Sequence, residues 1–436
     1  MVQMKKRSRT LYALSSGLLF LTLITIPAYC QAPNNTKDTT TTETIIDFIN
    51  QVNETRLHYY YQQLLSFGIR YTGTENCTKA GNWLYQEFQS MNLQVSYDDW
   101  SLREYTAQNI IATLPGVDEN DTAEFIICAH YDTVINSPGA NDDGSGIVAV
   151  LAIAEILSKY SFNHTIRFIT FSGEEVGTYG SFSYAKEAYE RGDNIIAVLN
   201  LDIIGYAETS HGGRILRFFH EAPSEWIACF AQETATKYND IVDIYIESLP
   251  SYPGADNQAF VDYGYDGVWI AQHDANLVGH SPDDNFDHIN ITYQKKVTQI
   301  MLAILTELVI KPIPVQVIIK TPLEAKGYIQ DTPVIDLLFV DQYFHRLRGI
   351  TFAIGRPVAR VDVLSDDLIE YVVFSINDVF TYWDSQPPYE WTIQGKFYPL
   401  FGRQKLKVDA YTTTGEHASD EMEILFFTLS YQYGKW

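Results

Sequence analysis

Short apolar segments alternate with helical patterns between about residues 45 and 310, and this alternation limits the possible folds more than any other feature. Four segments are rich in β-branched or aromatic residues and are bounded by turn residues, which is typical of buried strands. They are residues 124–129, 166–171, 195–201 and 267–271. Apolar residues recur at helical spacing in residues 80–91, 147–160, 224–238 and 293–310. The alternation predicts an α/β domain with a mostly parallel twisted sheet flanked by helices.

The pattern changes after Pro312 and Pro314, where no long helical periodicity remains. Strand-like runs separated by turn residues follow, including residues 315–320, 334–340, 369–376 and 405–411. This pattern predicts an all-β sandwich over residues 312–436. Because the Cys and Trp spacing of a true antibody domain is missing, we expect a sandwich that resembles an immunoglobulin domain but is not an antibody domain.

The N-terminal sequence has the layout of an exported protein. Lys5, Lys6, Arg7 and Arg9 precede an uncharged apolar run over residues 11–29. We expect residues 1–30 to be a signal peptide or, since the run approaches the length of a membrane span, an N-terminal membrane anchor. Residues 31–44 are rich in Thr and predict a linker, so the first folded domain is expected over residues 45–311. The rest of the chain would then be extracellular or on the outer face of the cell membrane.

Charge and cysteine content exclude several classes of protein. The net charge of -24 would repel nucleic-acid phosphates, whereas a cationic substrate or a bound metal fits it. The four cysteines include no Cys-x-x-Cys pair, which argues against a cysteine-rich zinc module and leaves one disulfide possible. Six Asn-x-Ser/Thr triplets could be glycosylated outside the cell. They begin at Asn34, Asn53, Asn76, Asn120, Asn163 and Asn290.

Residues of the types that bind metal ions, His, Asp and Glu, follow each of the four predicted strands. They are His130, Asp132 and Asp142 after the first, Glu174 and Glu175 after the second, Asp202 after the third and His280 after the fourth. Ligands bind at the carboxyl ends of the strands in an open α/β sheet, so we expect these residues to converge. Each motif is weak alone, because such residues are usually solvated loops, but their coincidence at four strand ends favours a site.

Two zinc ions about 3.5–4 Å apart need a bridging carboxylate and roughly two further ligands each. The set His130, Asp142, Glu175, Asp202 and His280 fits that requirement. The pair His273-Asp274 competes with His280, which we prefer because Asp283 and Asp284 follow it and can support it.

In this ordered set the chain resembles the co-catalytic zinc exopeptidases, a family of secreted leucine aminopeptidases, glutamate carboxypeptidases and glutaminyl cyclases. The resemblance covers about residues 45–310, including the segments at 70–74 and 109–116. It implies two Zn²⁺ per chain, with His130 and Asp202 on different ions, Asp142 bridging them, and Glu175 and His280 completing the two ligand sets. It also implies that Asp132 orients His130, that Glu174 is the general base, and that the Asp142–Asp143 peptide bond is cis.

The resemblance implies a hydrolase that acts on a peptide or protein substrate. An aminopeptidase is favoured over a carboxypeptidase, because residues 218–345 contain no Arg to hold a substrate carboxylate. Arg214, in the loop after Asp202, is the nearest plausible exception. Asp274, Asp283 and Asp284 could help to receive an ammonium group. Many relatives carry Tyr where this chain has Gly279, so Tyr252 or Tyr263 could supply the oxyanion donor.

Two alternatives remain open. One is a glutaminyl cyclase-like enzyme with one zinc, and the other is a catalytically inactive receptor or binding ectodomain of the same fold. The oligomeric state is not predicted by the sequence.

Overall fold

The computed structural model describes most of the chain. The described residues are 39–117, 122–221, 224–250, 254–310, 315–321, 326–329, 332–336, 351–354, 357–365, 368–377, 379–393 and 400–427. All of them belong to one compact unit. The predicted leader at residues 1–30 lies outside the described residues. Within the described part, no helix combines the length and the apolar composition that crossing a membrane requires.

An eight-stranded sheet forms the centre of the N-terminal part. Its strands are β1 (Gln94–Leu102), β2 (Tyr105–Leu114), β3 (Ala123–His130), β4 (Thr165–Phe171), β5 (Asn194–Leu201), β6 (Ile215–His220), β7 (Tyr245–Pro250) and β8 (Gly267–Gln272), in the order β1-β2-β4-β3-β5-β8-β6-β7. The four predicted strands are β3, β4, β5 and β8, which are parallel neighbours at the centre of the sheet. Strands β1, β2 and β6 introduce antiparallel pairs at the two sides. The predicted α/β fold is confirmed.

Helices cover both faces of this sheet. They are α1 (Thr39–Gln51), α2 (Glu54–Leu65), α3 (Glu75–Ser90), α4 (Gly144–Leu157), α5 (Tyr179–Arg191), α6 (Glu225–Val242), α7 (Asp256–Asp262) and α8 (Ile291–Ile310). Helices α1 to α4, α6 and α8 share the larger apolar core, and α5 and α7 pack on the other face around Phe171 and Phe260. Helix α4 is mostly apolar and almost completely buried, which fixes its N-terminus at the edge of the sheet.

The predicted Thr-rich linker is partly wrong. Helix α1 begins at Thr39, inside the segment at 31–44. Ile45, Phe48 and Ile49 on this helix are buried in the main core. Their packing stabilises a helical first turn that its weak intrinsic propensity would not form alone. Residues 31–38 lie outside the described part.

The C-terminal part consists of strands, as predicted. A seven-stranded sheet has the order β11-β10-β12-β18-β17-β14-β15, and a three-stranded sheet has the order β16-β13-β9. Their bounds are β9 (Gln316–Thr321), β10 (Lys326–Ile329), β11 (Thr332–Asp336), β12 (Thr351–Ile354), β13 (Val358–Leu364), β14 (Ile369–Ile376), β15 (Val379–Asp384), β16 (Tyr389–Thr392), β17 (Phe401–Thr412) and β18 (His417–Phe427).

These strands have their own apolar core, which includes Val372, Phe374, Leu406 and Val408. Strand β12 pairs in parallel with β10 and β18, unlike the purely antiparallel sheets of immunoglobulin domains. The immunoglobulin-like assignment therefore stays a prediction. Of the strand predicted at 334–340, residues 337–340 lie outside the described residues.

Candidate metal centre

The carboxyl ends of the four central strands meet at one edge of the sheet, and the predicted metal ligands meet there. His130 is the last residue of β3, and Asp202 directly follows β5. Glu175 lies in the turn after β4, while Asp142 precedes the N-terminus of α4. His280 arrives from the loop after β8 and is the most open of the five, with 60% of its side chain exposed.

The two carboxylate oxygens of Asp142 face different histidines. Its Oδ1 lies 3.3 Å from His130 Nε2, and its Oδ2 lies 3.1 Å from His280 Nε2. Asp202 Oδ1 is 3.8 Å from His130 Nε2, and Glu175 Oε2 is 3.2 Å from His280 Nε2. The ligand atoms therefore form two groups, His130-Asp142-Asp202 and Asp142-Glu175-His280, which share Asp142.

This grouping corrects one expectation. The resemblance implied that His130 and Asp202 would bind different ions, but the structure places them in the same group. The reason is the strand order, because β3 and β5 are adjacent and parallel, so their carboxyl ends lie side by side. The loop after β8 crosses to Glu175 instead.

Unpaired buried atoms indicate that the pocket suits a cation. His130 Nε2 and Asp202 Oδ1 are buried and have no hydrogen-bond partner in the described part of the chain. A buried polar atom left without a partner costs free energy, and a metal ion would satisfy both atoms. Each group offers imidazole nitrogen and carboxylate oxygen from three residues, a donor set that suits Zn²⁺ and leaves a position for water.

The electrostatics of the site point the same way. Burial lowers the pKa of His130, but Asp132, Asp142 and Asp202 outweigh this and raise the pKa well above its usual value. The hydrogen bond to Asp142 raises the pKa of His280 to about 9. Burial raises the pKa of Glu175 to about 7 and also raises that of Glu174. Clustered carboxylates thus attract positive charge to the same nitrogens that a metal would bind, and proton and metal compete there.

Asp132 lies behind His130 and has more contacts than the sequence suggested. One carboxylate oxygen is 3.5 Å from His130 Nδ1, as expected for an orienting residue. The carboxylate also accepts hydrogen bonds from the backbone N–H groups of Glu174 and Glu175, at 3.2 and 3.3 Å. Thr72 Oγ1 donates to it at 2.6 Å. Asp132 therefore positions both the histidine and the two glutamates.

Glu174 lies beside the ligands without belonging to either group. Its Oε2 atom is 3.9 Å from His130 Nε2. Glu175 turns away and accepts a hydrogen bond from the backbone N–H of Val134 at 3.2 Å through its other oxygen. Adjacent residues thus serve different positions of the site.

Sequence reasoning missed the residues that hold the Asp142 loop. Asp284 accepts the backbone N–H groups of Asn141 and Asp142 at 2.9 and 3.1 Å, rather than supporting His280 as expected. Asp143 caps α4 by accepting the N–H of Gly146 at 2.8 Å. The Asp142–Asp143 peptide bond is cis, as the resemblance implied.

The buried Arg70 holds the other side of this loop. Its guanidinium donates to the carbonyls of Tyr131, Pro138 and Gly139. In the sequence, Arg70 stands out only because it belongs to the segment at 70–74 that the resemblance covers. The resemblance implies no role for it.

Other candidates are engaged elsewhere. His273 Nδ1 lies 3.0 Å from Asp274, and neither belongs to the two ligand groups. Asp274 accepts the backbone N–H groups of Glu208 and Thr209. Arg214 is exposed and pairs with Asp243 at 2.6 Å.

The candidates for an oxyanion donor are not brought to the ligands by any described contact. The ring of Tyr263 packs against those of Phe182 and Tyr189, and Tyr252 lies outside the described residues. At Gly279, an added Cβ would lie 2.6 Å from Asn276 Nδ2, so a side chain there requires Asn276 to move.

Comparisons with known proteins show to which family model and to which folds the chain is similar. A family model described as Peptidase family M28 matches residues 109–305. Leucine aminopeptidase 1 of Leptosphaeria maculans is 23% identical over 293 residues, which cover 61% of this chain and 73% of that protein. LapB from Legionella pneumophila superimposes with a TM-score of 0.55 at 22% identity, covering 62% of this chain and 75% of LapB. BSAP, a zinc aminopeptidase from Bacillus subtilis, has a TM-score of 0.52 at 16% identity, covering 60% and 96%.

Proposed function

We propose that this protein is an exported two-zinc aminopeptidase that releases residues from the amino terminus of peptides, a proposal supported by the match of residues 109–305 to the family model described as Peptidase family M28. The observation that carries the proposal is the position of Asp142 between two ligand groups, one around His130 and one around His280. A carboxylate shared by two groups of this kind is what a two-metal hydrolytic site requires.

His130, Asp142 and Asp202 would hold one zinc, and Asp142, Glu175 and His280 the other. Zinc, when bound, lowers the pKa of water and polarises the substrate carbonyl. The protein must supply the remaining chemistry, which is to move a proton and to orient the peptide.

Glu174 is the group that would move the proton. It lies beside His130 but outside both ligand groups, so its carboxylate is free to take a proton from water and pass it to the leaving amine. Asp132 would keep Glu174 in place through the hydrogen bond from the Glu174 backbone N–H. A base held by its backbone can change protonation without losing its position.

The charge of the centre favours the amino end of a peptide. Glu174 lies beside the ligands but outside both ligand groups, so its negative charge would not be used by zinc, and this charge together with the net charge of -24 of the chain favours a substrate ammonium group. Arg214, which could have anchored a substrate carboxylate, is taken by Asp243. A residue that binds the carboxylate at the scissile position is needed for a carboxypeptidase.

Export forms part of the proposal and rests on the sequence alone. The cationic N-terminus followed by the apolar run at 11–29 supports a signal peptide or an anchor, with the enzyme outside the cell. Amino-terminal sequencing of the mature protein tests this, since a start near residue 31 indicates cleavage.

The test of the activity is a panel of short peptides with a free amine, an acetylated amine or an amidated carboxyl, each assayed with and without a chelator. We expect cleavage of peptides with a free amine, loss of cleavage after acetylation, and inhibition by the chelator. Cleavage of the acetylated peptide with loss on amidation would identify a carboxypeptidase instead.

Elemental analysis separates the remaining alternatives. Two zinc ions per chain support the peptidase, whereas one zinc together with cyclisation of N-terminal glutamine supports a glutaminyl cyclase-like enzyme. Two zinc ions without turnover of any substrate in the panel support an inactive ectodomain.

A further inference from the structure

Among the described residues, Arg103 at the tip of the β1–β2 hairpin is a cation without an ion-pair or hydrogen-bond partner for its side chain. Eight other arginines in the described residues bond to carboxylate or carbonyl oxygens. They are Arg56, Arg70, Arg167, Arg191, Arg214, Arg217, Arg360 and Arg403. Within this part of the chain Arg103 has neither an ion pair nor a hydrogen bond to its side chain, although Glu104 is its neighbour and the protein is strongly acidic.

The backbone at this position does not favour an arginine. Arg103 lies in the two-residue turn between β1 and β2, where Leu102 pairs with Tyr105. Its φ of 53° is in the left-handed region, in which hairpin turns prefer Asn, Asp or Gly. An arginine there costs conformational free energy, and such outliers cluster at functional sites. The chain thus presents a cation at a position that its turn geometry disfavours.

The guanidinium of Arg103 is oriented by an aromatic ring. Its central carbon lies 5.5 Å from the centroid of the Tyr179 ring. A guanidinium that stacks on a ring still has N–H donors along its edge, in the fork that matches a carboxylate. The stacking therefore limits the motion of Arg103 without using its hydrogen-bond donors.

Tyr179 connects Arg103 to the turn that carries the catalytic glutamates. The backbone N–H of Tyr179 donates to the carbonyl of Gly173, and the N–H of Thr178 donates to that of Glu174, both at 2.9 Å. On the same hairpin, the Trp100 ring packs against Gly173, where an added Cβ would lie 2.5 Å from it. Arg103 therefore lies on the Glu174 side of the centre, at the exposed end of this hairpin.

A wall of tyrosines extends along the same side. The rings of Tyr105 and Tyr179 are 6.2 Å apart, and the hydroxyls of Tyr71 and Tyr105 are 2.9 Å apart. Tyr71 precedes Thr72, which donates to Asp132 behind the ligands. A peptide that leaves the centre along this wall would reach Arg103.

We propose that Arg103 binds the C-terminal carboxylate of short peptide substrates whose amino end lies at the metal centre. The inference rests on the proposed aminopeptidase function and names its substrate class as peptides of about three or four residues. An extended chain covers about 3.5 Å per residue, and a single tyrosine separates Arg103 from the turn with Glu174. The acidic protein would otherwise repel this carboxylate, so an unpaired arginine gives short peptides a specific advantage.

The experiment compares kcat/KM for a tripeptide or tetrapeptide with a free carboxyl and for the same peptide with a carboxamide. We expect the full-length enzyme to prefer the free acid by about three- to tenfold, as a charge-assisted hydrogen bond allows. Arg103→Gln should abolish the preference through KM, with kcat nearly unchanged, and Arg103→Lys should retain part of it. A ten-residue peptide should show no preference, because its terminus lies beyond Arg103.

Arg403→Gln is the matched control, since Arg403 is an exposed arginine on β17 that pairs with Glu423. It should keep the preference of the unmodified protein. An acid-to-amide ratio near one in the unmodified enzyme, or an unchanged ratio in Arg103→Gln, overturns the inference and leaves the aminopeptidase proposal intact.

Failure of the proposed function is recognised separately. Cleavage of acetylated peptides that is lost on amidation refutes the aminopeptidase and, with it, the peptide orientation on which the inference about Arg103 rests. Where no peptide is cleaved, calorimetric binding of the acid and amide tetrapeptides to the zinc-loaded chain decides the matter. Equal affinities there reject Arg103 as a carboxylate site.

Discussion

At the scale of single residues, the centre depends on carboxylates that each contact more than one group. Asp142 faces both histidines with its two oxygens, and Asp132 holds His130 together with the backbone of Glu174 and Glu175. Shared partners of this kind couple the positions of the residues that they join. Substitution of one of these shared carboxylates should therefore disturb several groups at once, whereas Glu174, which lies outside both ligand groups, can be tested separately from the ligands.

Glu174→Gln removes the proposed base but no ligand. We expect turnover to fall by about 10²- to 10⁴-fold while the zinc content stays near two per chain. Steady-state kinetics and elemental analysis on the same preparation measure both quantities. Activity equal to that of the unmodified protein would show that another group transfers the proton.

His130→Ala removes a ligand nitrogen, so it should lose zinc together with activity. His273→Ala is the control, because His273 pairs with Asp274 and lies outside both ligand groups. The control should keep its zinc, as measured by elemental analysis. Full zinc content in His130→Ala, or equal loss in both variants, contradicts the ligand assignment.

At the scale of elements, the turn after β4 is held by the β1–β2 hairpin. Trp100 Nε1 donates to Ser172 Oγ at 2.9 Å, and Asn109 joins Ser172 to Gly180 through its side chain. The hairpin thus fixes both ends of the segment that carries Glu174 and Glu175. An antiparallel pair of strands at the side of the sheet thus supports the segment that carries the proposed base, Glu174.

Gly173→Ala tests this support. Gly173 has a φ of 80°, and its added Cβ would lie 2.5 Å from the Trp100 ring, so the turn must shift. We expect lower thermal stability and a reduced kcat, measured by thermal unfolding and peptide kinetics.

Gly192→Ala provides the comparison for backbone strain alone, because Gly192 has a φ of 74° with nothing within 4 Å of the added Cβ. It should cost about 1 kcal/mol of stability and leave kcat unchanged. Equal effects of the two substitutions on kcat would show that the contact with Trp100 does not position Glu174.

At the scale of the whole molecule, the β-rich part touches the α/β part through strand β9. The Lys320 ammonium lies 4.3 Å above the Tyr265 ring, and Ile318 packs against the main core. Burial raises the pKa of the neighbouring Asp266 to about 7. The ligand residues themselves all precede this contact in the chain.

A chain that ends near Pro312 should therefore fold and bind two zinc ions, with a lower melting temperature because the surface around Tyr265 becomes exposed. Thermal unfolding and elemental analysis of the purified fragment measure this. A soluble, folded fragment without zinc would show that the β-rich part completes the centre, and the division into domains at 311 and 312 would then be wrong as a functional boundary.

The sequence alone was sufficient for the fold class and for naming the five residues that the structure brings together in two groups. The spacing of apolar residues and the positions of turn residues indicate the local secondary structure. The ends of β3, β4, β5 and β8 were therefore predicted within about two residues. The ligands could be proposed because each lies at the end of such a strand or in the loop that follows it, and these loops meet at one edge of the sheet. These inferences need only short stretches of chain and one general rule of α/β sheets.

Only the tertiary structure decided which ligands belong together and which residues support them. The pairing of His130 with Asp202 follows from the adjacency of β3 and β5, and the place of His280 beside Glu175 follows from a loop that crosses the sheet edge. The lack of an ion-pair or hydrogen-bond partner for the Arg103 side chain is likewise visible only in the structure, where every other described arginine has one. Distances between residues far apart in sequence depend on strand order and loop paths, and a local pattern of apolar and polar residues carries no information about either.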